Sequence, residues 1–417
     1  MLKTLCPTSF RRYSSLAIFG PFVDGFSAWL VQQRYNDCYL KQRICLLPYI
    51  EAVLIRRGVG HLSDIGPADW AACRRNLLQR FPDQTGTTSA LQRYLHVSNL
   101  LRPEEQKVTS AAARHLLAYA HYLEVVRGAA ASTIRQNSYT ASEFLAYLKI
   151  ERHPERLKRL TAHDLEAFVK SISHRFTRSS LRHIASRLRS FLRFLEVKGE
   201  IPQDLDRQID TPRVYREEQL PRTLPWETVQ AFLNSIDRST LAGLRDFTMF
   251  FLMAVYGLRA SDVVALTLDN IHWRARKISF TQKKTGTVLE LPLTDTVATA
   301  LHTYLTKLAP QPPFRQIFLR VKAPVGTLTT TAVSRAFRVR ACRSGMNIPG
   351  RGSCHRIRHS YAVFLLRKGT SVKTIGDILG HRILESTWTY LRLAIEDLRD
   401  VALPVPTEST GRKAVRA

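Results

Sequence analysis

Apolar residues recur every three or four positions along most of this chain, the spacing of helices with one buried face. Within residues 18–100, "FSAWLVQQRY" and "LKQRICLLPYIEAVLIRRG" carry the pattern, and Gly58 and Gly60 end the second. "FPDQTGTTS" (81–89) is turn-rich. Residues 108–200 hold a clearer set. "SAAARHLLAYAHYLEVVRG" closes on Gly128, and "STIRQNSYTASEFLAYLKI" opens at Ser132. "TAHDLEAFVKSI" opens at Thr161 with Asp164 at the capping-box position. "TRSSLRHIASRLRSFLRFLEVKG" closes on Gly199. Residues 39–75 echo 133–170 in order and spacing. Both a second copy of the helical domain and the general likeness of amphipathic helices account for that echo.

The period changes at one place. "KISF" (277–280) and "VLELPL" (288–293) read as strands, and "TQKKTGT" joins them with Gly286 in the turn. This predicts a β-hairpin inside a helical region that starts at "TLPWETVQAFLNSI". "FTMFFLMAVYGL" (247–258) is too short to span a bilayer and reads as a core helix. The expected fold is mainly α with a small β-sheet or hairpin. Its segments are a basic lead-in (1–17), an N-terminal helical module (18–100), a helical domain (108–200), a Pro-punctuated linker (201–222), a C-terminal domain (223–403) and a disordered tail (404–417).

Charge narrows the function. Lys and Arg number 62 against 34 Asp and Glu, a net charge of +28. Such a surplus implies a polyanionic partner, most simply nucleic acid. No long basic amphipathic face with free apolar residues points to a membrane surface. In the last helix of the 108–200 set, Leu181, Ile184, Leu188, Phe191, Leu192 and Leu195 form one stripe, while Arg178, Arg182, Arg189 and Arg193 fall on another. Those four arginines read as a phosphate-tracking face. Six cysteines, at 6, 38, 45, 73, 342 and 354, form no C-x-x-C pair and read as reduced thiols of a cytosolic protein.

The chemistry lies between residues 223 and 400. "YGLRASDVVALT" puts Arg259 at a helix start, and "QKKTG" puts Lys284 at a hairpin tip. "CHRIRHSYAVFLLRKG" sets His355 and Arg358 on one helical face, crowding charge into the first turn of an apolar helix. "LGHRILESTWTY" has His381 just past Gly380, with Tyr390 nine residues on. Two arginines suit the oxygens of a phosphodiester, and a tyrosine suits attack on phosphorus. A histidine suits uptake of the phenol proton, and a lysine suits protonation of the departing oxygen.

"GLRASDVVALT", "KKTG…LELPL", "HRIRHSYAVFLLRKG" and "LGHRILESTWTYLRL" resemble the signature boxes of the tyrosine recombinase (phage integrase) family in order and spacing, over roughly 108–400. The resemblance implies a helical core-binding (SAM-like) domain followed by a catalytic domain. It implies that Arg259 and Arg358 bind phosphate, that Lys284 on the hairpin is the general acid and that His355 is base-like. His381 would hydrogen-bond the scissile phosphate and Tyr390 would be the nucleophile. Lys283 is the neighbouring alternative to Lys284, and Asp262 is expected to be a structural support.

The implied activity is site-specific recombination or integration through a 3′-phosphotyrosyl intermediate, without ATP or metal, so no cofactor is expected. The implied partners are double-stranded recombination sites of a mobile element, further copies of the chain in a tetramer on DNA, and partner recombinases. The expected setting is the cytoplasm, on the nucleoid. A type IB-like topoisomerase or resolvase shares this chemistry. A catalytically silent DNA-binding accessory protein shares only the fold.

Overall fold

The computed structural model describes residues 2–5, 10–84, 86–101, 110–213, 223–308, 314–346, 353–383 and 385–391. The chain falls into two units, Pro103–Gln219 and a second made of Met1–Arg102 with Leu220–Ala417. Among the described residues, no helix is long and apolar enough to cross a membrane.

In the first stretch of the second unit, α1 (Leu2–Leu5), α2 (Phe10–Ser14), α3 (Val23–Gln32), α4 (Asp37–Cys45), α5 (Leu47–Arg56), α6 (Pro67–Arg80) and α7 (Gly86–Val97) share one apolar core. Described residues of the expected lead-in at 1–17 belong to that core. Leu2 and Tyr13 are buried in it. The fastening group is the buried Glu51 carboxylate, which accepts the backbone N–H groups of Ala17, Ile18 and Phe19 at 2.8, 3.0 and 2.9 Å. A buried carboxylate needs such donors to offset its lost hydration. Composition alone did not reveal that the basic segment had this anchor.

The Pro103–Gln219 unit contains α8 (Ala111–His121), α9 (Ala131–Tyr147), α10 (Ala162–Ser173) and α11 (Arg178–Val197). A single π-helical segment, Tyr122–Val126, continues α8. The Thr161–Asp164 capping box forms, and Gly199 takes a left-handed φ of 68° after α11. Helix α9 starts one residue before the expected Ser132 cap, at Ala131. The buried stripe of α11 packs its expected leucines and phenylalanines into the core.

The residues after α11 depart from the expected linker. Ile201, Leu205 and Ile209 are buried in the same core. Arg189 donates to the carbonyls of Asp206 at 3.2 Å and Ile209 at 2.6 Å, and to the Thr211 hydroxyl. Arg193 bonds the buried Asp206 carboxylate at 2.6 Å. The spacing of three apolar residues among prolines and acids hid this strap. Residues 214–222 of the expected linker and all of the expected tail at 404–417 lie outside the described residues.

From residue 223 onward, α12 (Trp226–Asn234), α13 (Leu241–Tyr256), α14 (Ala260–Ala265), α15 (Asp295–Lys307) and α16 (Thr330–Arg343) surround a second apolar core. A three-stranded antiparallel sheet, β1 (Ile271–His272), β2 (Lys277–Thr281) and β3 (Val288–Pro292), lies against it in the order β1-β2-β3. The register pairs Ile278 with Leu291 and Phe280 with Leu289, so alternate residues of the hairpin face the core. Helices α17 (His355–Arg367), α18 (Val372–Leu379) and α19 (Glu385–Leu391) close the order. Ala362 and Val363 of α17 join Ile375, Leu379 and Tyr390 in a smaller cluster.

Candidate active site

Two left-handed glycines set the frame. Gly257 ends α13 at φ 62° and turns the chain so that Arg259 caps α14. Gly380 ends α18 at φ 63°, with the His381 N–H bonded back to the Gly376 carbonyl at 2.9 Å. A Cβ on Gly257 would meet Leu379 at 2.5 Å, and one on Gly380 would meet Gln282 at 2.5 Å. Both turns need glycine for their φ and for their closeness to a neighbour.

Arg358 sits at the end of the first turn of α17 and is buried. It donates from Nη1 to the Gly257 carbonyl at 2.6 Å and from Nη2 to the Leu379 carbonyl at 2.8 Å. These acceptors orient the guanidinium without neutralising it. Burial, followed by the nearby Arg259 charge, lowers its pKa to about 10. A buried cation held by neutral carbonyls is a receptor for an anion. This answers the puzzle of the crowded first turn: Arg358 is held by backbone oxygens, and its charge is left to act on what enters the cleft.

Arg259 is fixed by a hydrogen bond to Gln282 Oε1 at 2.6 Å and lies 3.8 Å from Asp262 Oδ2. Asp262 is buried and accepts the Lys283 backbone N–H at 3.2 Å, so it supports both the helix start and the hairpin. Gln282 donates through Nε2 to the Leu379 carbonyl at 3.1 Å, the acceptor that Arg358 also uses. Arg259, Gln282, the Leu379 carbonyl and Arg358 thus form one connected frame. The signature boxes did not mark Gln282, because a glutamine at a strand end is ordinary until its partners are known.

Lys284 and Lys283 are both exposed on the hairpin. The Lys284 charge lowers the pKa of both His355 and His381, which places it in electrostatic reach of them. His355 keeps an exposed edge at the start of α17. Its pKa is lowered by the surrounding protein first, then by Arg358, Lys284 and Arg259, against a smaller opposing pull from Asp262.

Tyr390 is 4% exposed, and its ring stacks on His381 with centroids 6.4 Å apart and planes 13° from parallel. His381 Nδ1 lies 2.7 Å from the Thr387 hydroxyl. Burial lowers the His381 pKa to about 4, helped by Arg358 and Arg259. Burial raises the Tyr390 pKa, while the charges of Arg358 and Arg259 pull it back. The phenol is therefore protonated at rest and becomes easier to ionise only through the two arginines.

The ring at hydrogen-bond distance from the Tyr390 hydroxyl is His359, with Nδ1 2.9 Å from Oη. It was absent from the expected set. Its signal was available: His359 follows His355 by four residues and so shares its helix face. Burial lowers its pKa to about 4, with His355 and Arg358 adding to the effect.

Of the residues expected to meet DNA, Arg178, Arg182 and Arg193 are exposed on α11 and Arg189 is half-buried. Arg189 and Arg193 are engaged in the strap described above. On α16, Arg340 is also engaged, bonding the buried Asp246 at 2.9 Å.

The chain has relatives in sequence and in fold. Residues 222–396 match the phage integrase family, and residues 116–199 match the phage integrase N-terminal SAM-like domain. The y4rA integrase/recombinase of Sinorhizobium fredii is 31% identical over 395 residues, covering 93% of this chain and 95% of that relative. The tyrosine recombinase XerD of Listeria monocytogenes is 31% identical over 289 residues, 68% of this chain and 95% of that protein. A lambda integrase tetramer bound to a Holliday junction shares the fold, with a TM-score of 0.50 and 18% identity, over 71% of this chain and 87% of that one.

Proposed function

The chain belongs to the phage integrase family of tyrosine recombinases, and we propose a residue-by-residue division of labour for its DNA breaking and rejoining. The protein is a site-specific recombinase. Arg259 and Arg358 clamp the two non-bridging oxygens of the scissile phosphate, where charge builds in the transition state. Tyr390 Oη attacks phosphorus, the bond to the 5′ oxygen breaks, and Lys284 gives that oxygen a proton. The products are a 3′-phosphotyrosyl link and a free 5′ hydroxyl. His355 and His381 hydrogen-bond the phosphate from the cleft walls. The 5′ hydroxyl of a partner strand then attacks the link in the reverse sense, and the bond energy is conserved throughout.

The observation that carries this reading is the burial of the Tyr390 hydroxyl beside Arg358, with Arg259 held by the same frame. Four segments far apart in sequence meet there. A silent accessory protein gains nothing from holding a buried, uncompensated guanidinium beside a tyrosine hydroxyl.

The substrate is double-stranded DNA bearing recombination sites, and the assembly is a tetramer, as in the lambda integrase complex on a Holliday junction. The net charge of +28 supports a DNA partner. Residues 108–200 act as the core-binding domain and 223–403 as the catalytic domain. The protein works on DNA in the cytoplasm, at the nucleoid.

The test is a duplex nicked close to the cleavage point, so that the short 5′-hydroxyl strand diffuses away and the covalent adduct is trapped. Wild-type chain accumulates an adduct mapping to Tyr390, and Tyr390→Phe accumulates none. An adduct formed by Tyr390→Phe overturns the reading.

A further inference from the structure

We infer that His359 is a catalytic residue, the group that takes the proton from the Tyr390 hydroxyl as it attacks. The inference rests on the proposed nucleophilic role of Tyr390 and goes beyond it by naming the proton's destination. The resemblance assigned the base-like role to His355. The hydrogen bond to Tyr390, however, is made by His359 Nδ1, at 2.9 Å.

The donor pattern around Oη argues for the direction of that bond. A phenol oxygen has one hydrogen to give. Arg358 has only hydrogens to give, and its charge lies close enough to Tyr390 to pull the phenol pKa down. A cation near Oη favours its lone pairs and not its hydrogen, so the phenol proton points at His359, the hydrogen-bond partner at 2.9 Å. An imidazole that accepts at Nδ1 carries its own hydrogen on Nε2 and is neutral. The surroundings keep it so. His359 is faced by His355 and Arg358 from its own helix, and by Tyr390 and His381 from the segments packed against it. None of these is an anion at rest. A neutral ring in line with the phenol proton is the resting state a general base needs.

The step balances. The Oη–H bond breaks as the proton forms a bond to His359 Nδ1, and the Oη electron pair forms the bond to phosphorus. The phosphorus–5′ oxygen bond breaks, and that oxygen takes a proton from Lys284. The DNA phosphate entering the cleft brings the negative charge that the imidazolium then faces. In rejoining, His359 returns its proton to Tyr390.

The tests use full-length chain and the nicked duplex, with single-turnover adduct formation as the readout. His359→Asn keeps an amide at the position of Nδ1, able to hydrogen-bond but not to hold a proton, and His359→Ala removes both functions. Each variant is expected to slow adduct formation by about 10²-fold or more, while shifting DNA as wild type does in a gel assay. In His359→Asn, hydroxide must replace the base, so the rate rises about tenfold per pH unit between pH 7 and 9, as expected for a phenol that burial keeps protonated throughout that range. The wild-type rate stays level over the same range. His355, His381 and Lys284 are common to both proteins and cancel in the comparison. Wild-type speed in His359→Asn, or a slowed rate that ignores pH, overturns the inference alone. A wild-type chain that forms no adduct at Tyr390 overturns the reading beneath it as well.

Discussion

Arg259 Nη1 donates to Gln282 Oε1 at 2.6 Å, and through that amide Arg259 is tied to the Leu379 carbonyl that also holds Arg358. Gln282 is buried, and its side chain is spent on Arg259, Thr285 and the Leu379 carbonyl, so its part is to hold Arg259 still. Replacing it with Ala leaves the partly buried Arg259 guanidinium with one hydrogen bond fewer. Displacements of an ångström at a reacting centre cost about 10²-fold in rate. Gln282→Ala is expected to slow adduct formation by about that factor while duplex binding stays near wild type. Unchanged adduct formation would show that Asp262 alone fixes Arg259.

Gly380 faces the other side of the same amide. Its φ is 63°, and an added Cβ would lie 2.5 Å from Gln282 Oε1 and 2.7 Å from Cδ. Gly369 offers a matched control, with φ 80° and nothing within 4 Å. Gly369→Ala suffers backbone strain only, about 1–3 kcal/mol. Gly380→Ala suffers the strain and the collision, and is expected to unfold at a lower denaturant concentration than Gly369→Ala. Equal midpoints would mean that the Gln282 side chain steps aside at no cost.

Much of this site could be read along the sequence because its residues sit at element boundaries with strong local signals. Glycine turns flagged Arg259 and His381, the alternating hairpin flagged Lys284, and i, i+3 spacing paired His355 with Arg358. What stayed hidden depended on partners distant in sequence. Gln282 matters through a carbonyl 97 positions away. His359 matters through a hydroxyl 31 positions away. Arg189 read as a phosphate contact because its helix face looked exposed, whereas residues 206–211 fold back to meet it. The basic lead-in looked unanchored because Glu51, its acceptor, lies over 30 residues downstream.

Acid should weaken the fold through the site histidines. His359 and His381 have pKa values of about 4 in the folded chain, against an ordinary value of about 6.5. Below pH ~6.5 the unfolded chain takes up protons that the folded chain refuses until about pH 4. Their stabilisation is thus complete at pH 7 and above and is lost as pH falls from 6.5 toward 4. The carboxylates held low by hydrogen bonds, such as Asp164 and Asp69, start from an ordinary value of 3.8 and act at lower pH. Urea midpoints are expected to drop between pH 7.5 and 5. His381→Asn, which keeps a hydrogen-bonding group toward Thr387, should show a smaller drop. An identical drop in the variant would remove His381 from the account.

Two arginines of one helix should separate into a DNA contact and a structural clamp. Arg182 is exposed, one turn after the Thr177 cap of α11. Arg189 spends its hydrogen bonds on the carbonyls of Asp206 and Ile209. Removing a phosphate contact reduces the slope of log binding constant against log salt by about 0.9. Arg182→Ala is therefore expected to flatten that slope by about one unit and leave the thermal midpoint alone. Hydrogen bonds from charged donors contribute about 1.5–3 kcal/mol. Arg189→Ala should accordingly lower the midpoint and speed proteolytic cutting within residues 201–213, where the strap loses its clamp. The salt slope in Arg189→Ala should stay near wild type, since its guanidinium already faces protein oxygens. A reversed outcome, with Arg189 setting the slope and Arg182 the stability, would mean that the strap opens when DNA binds and frees Arg189 for phosphate.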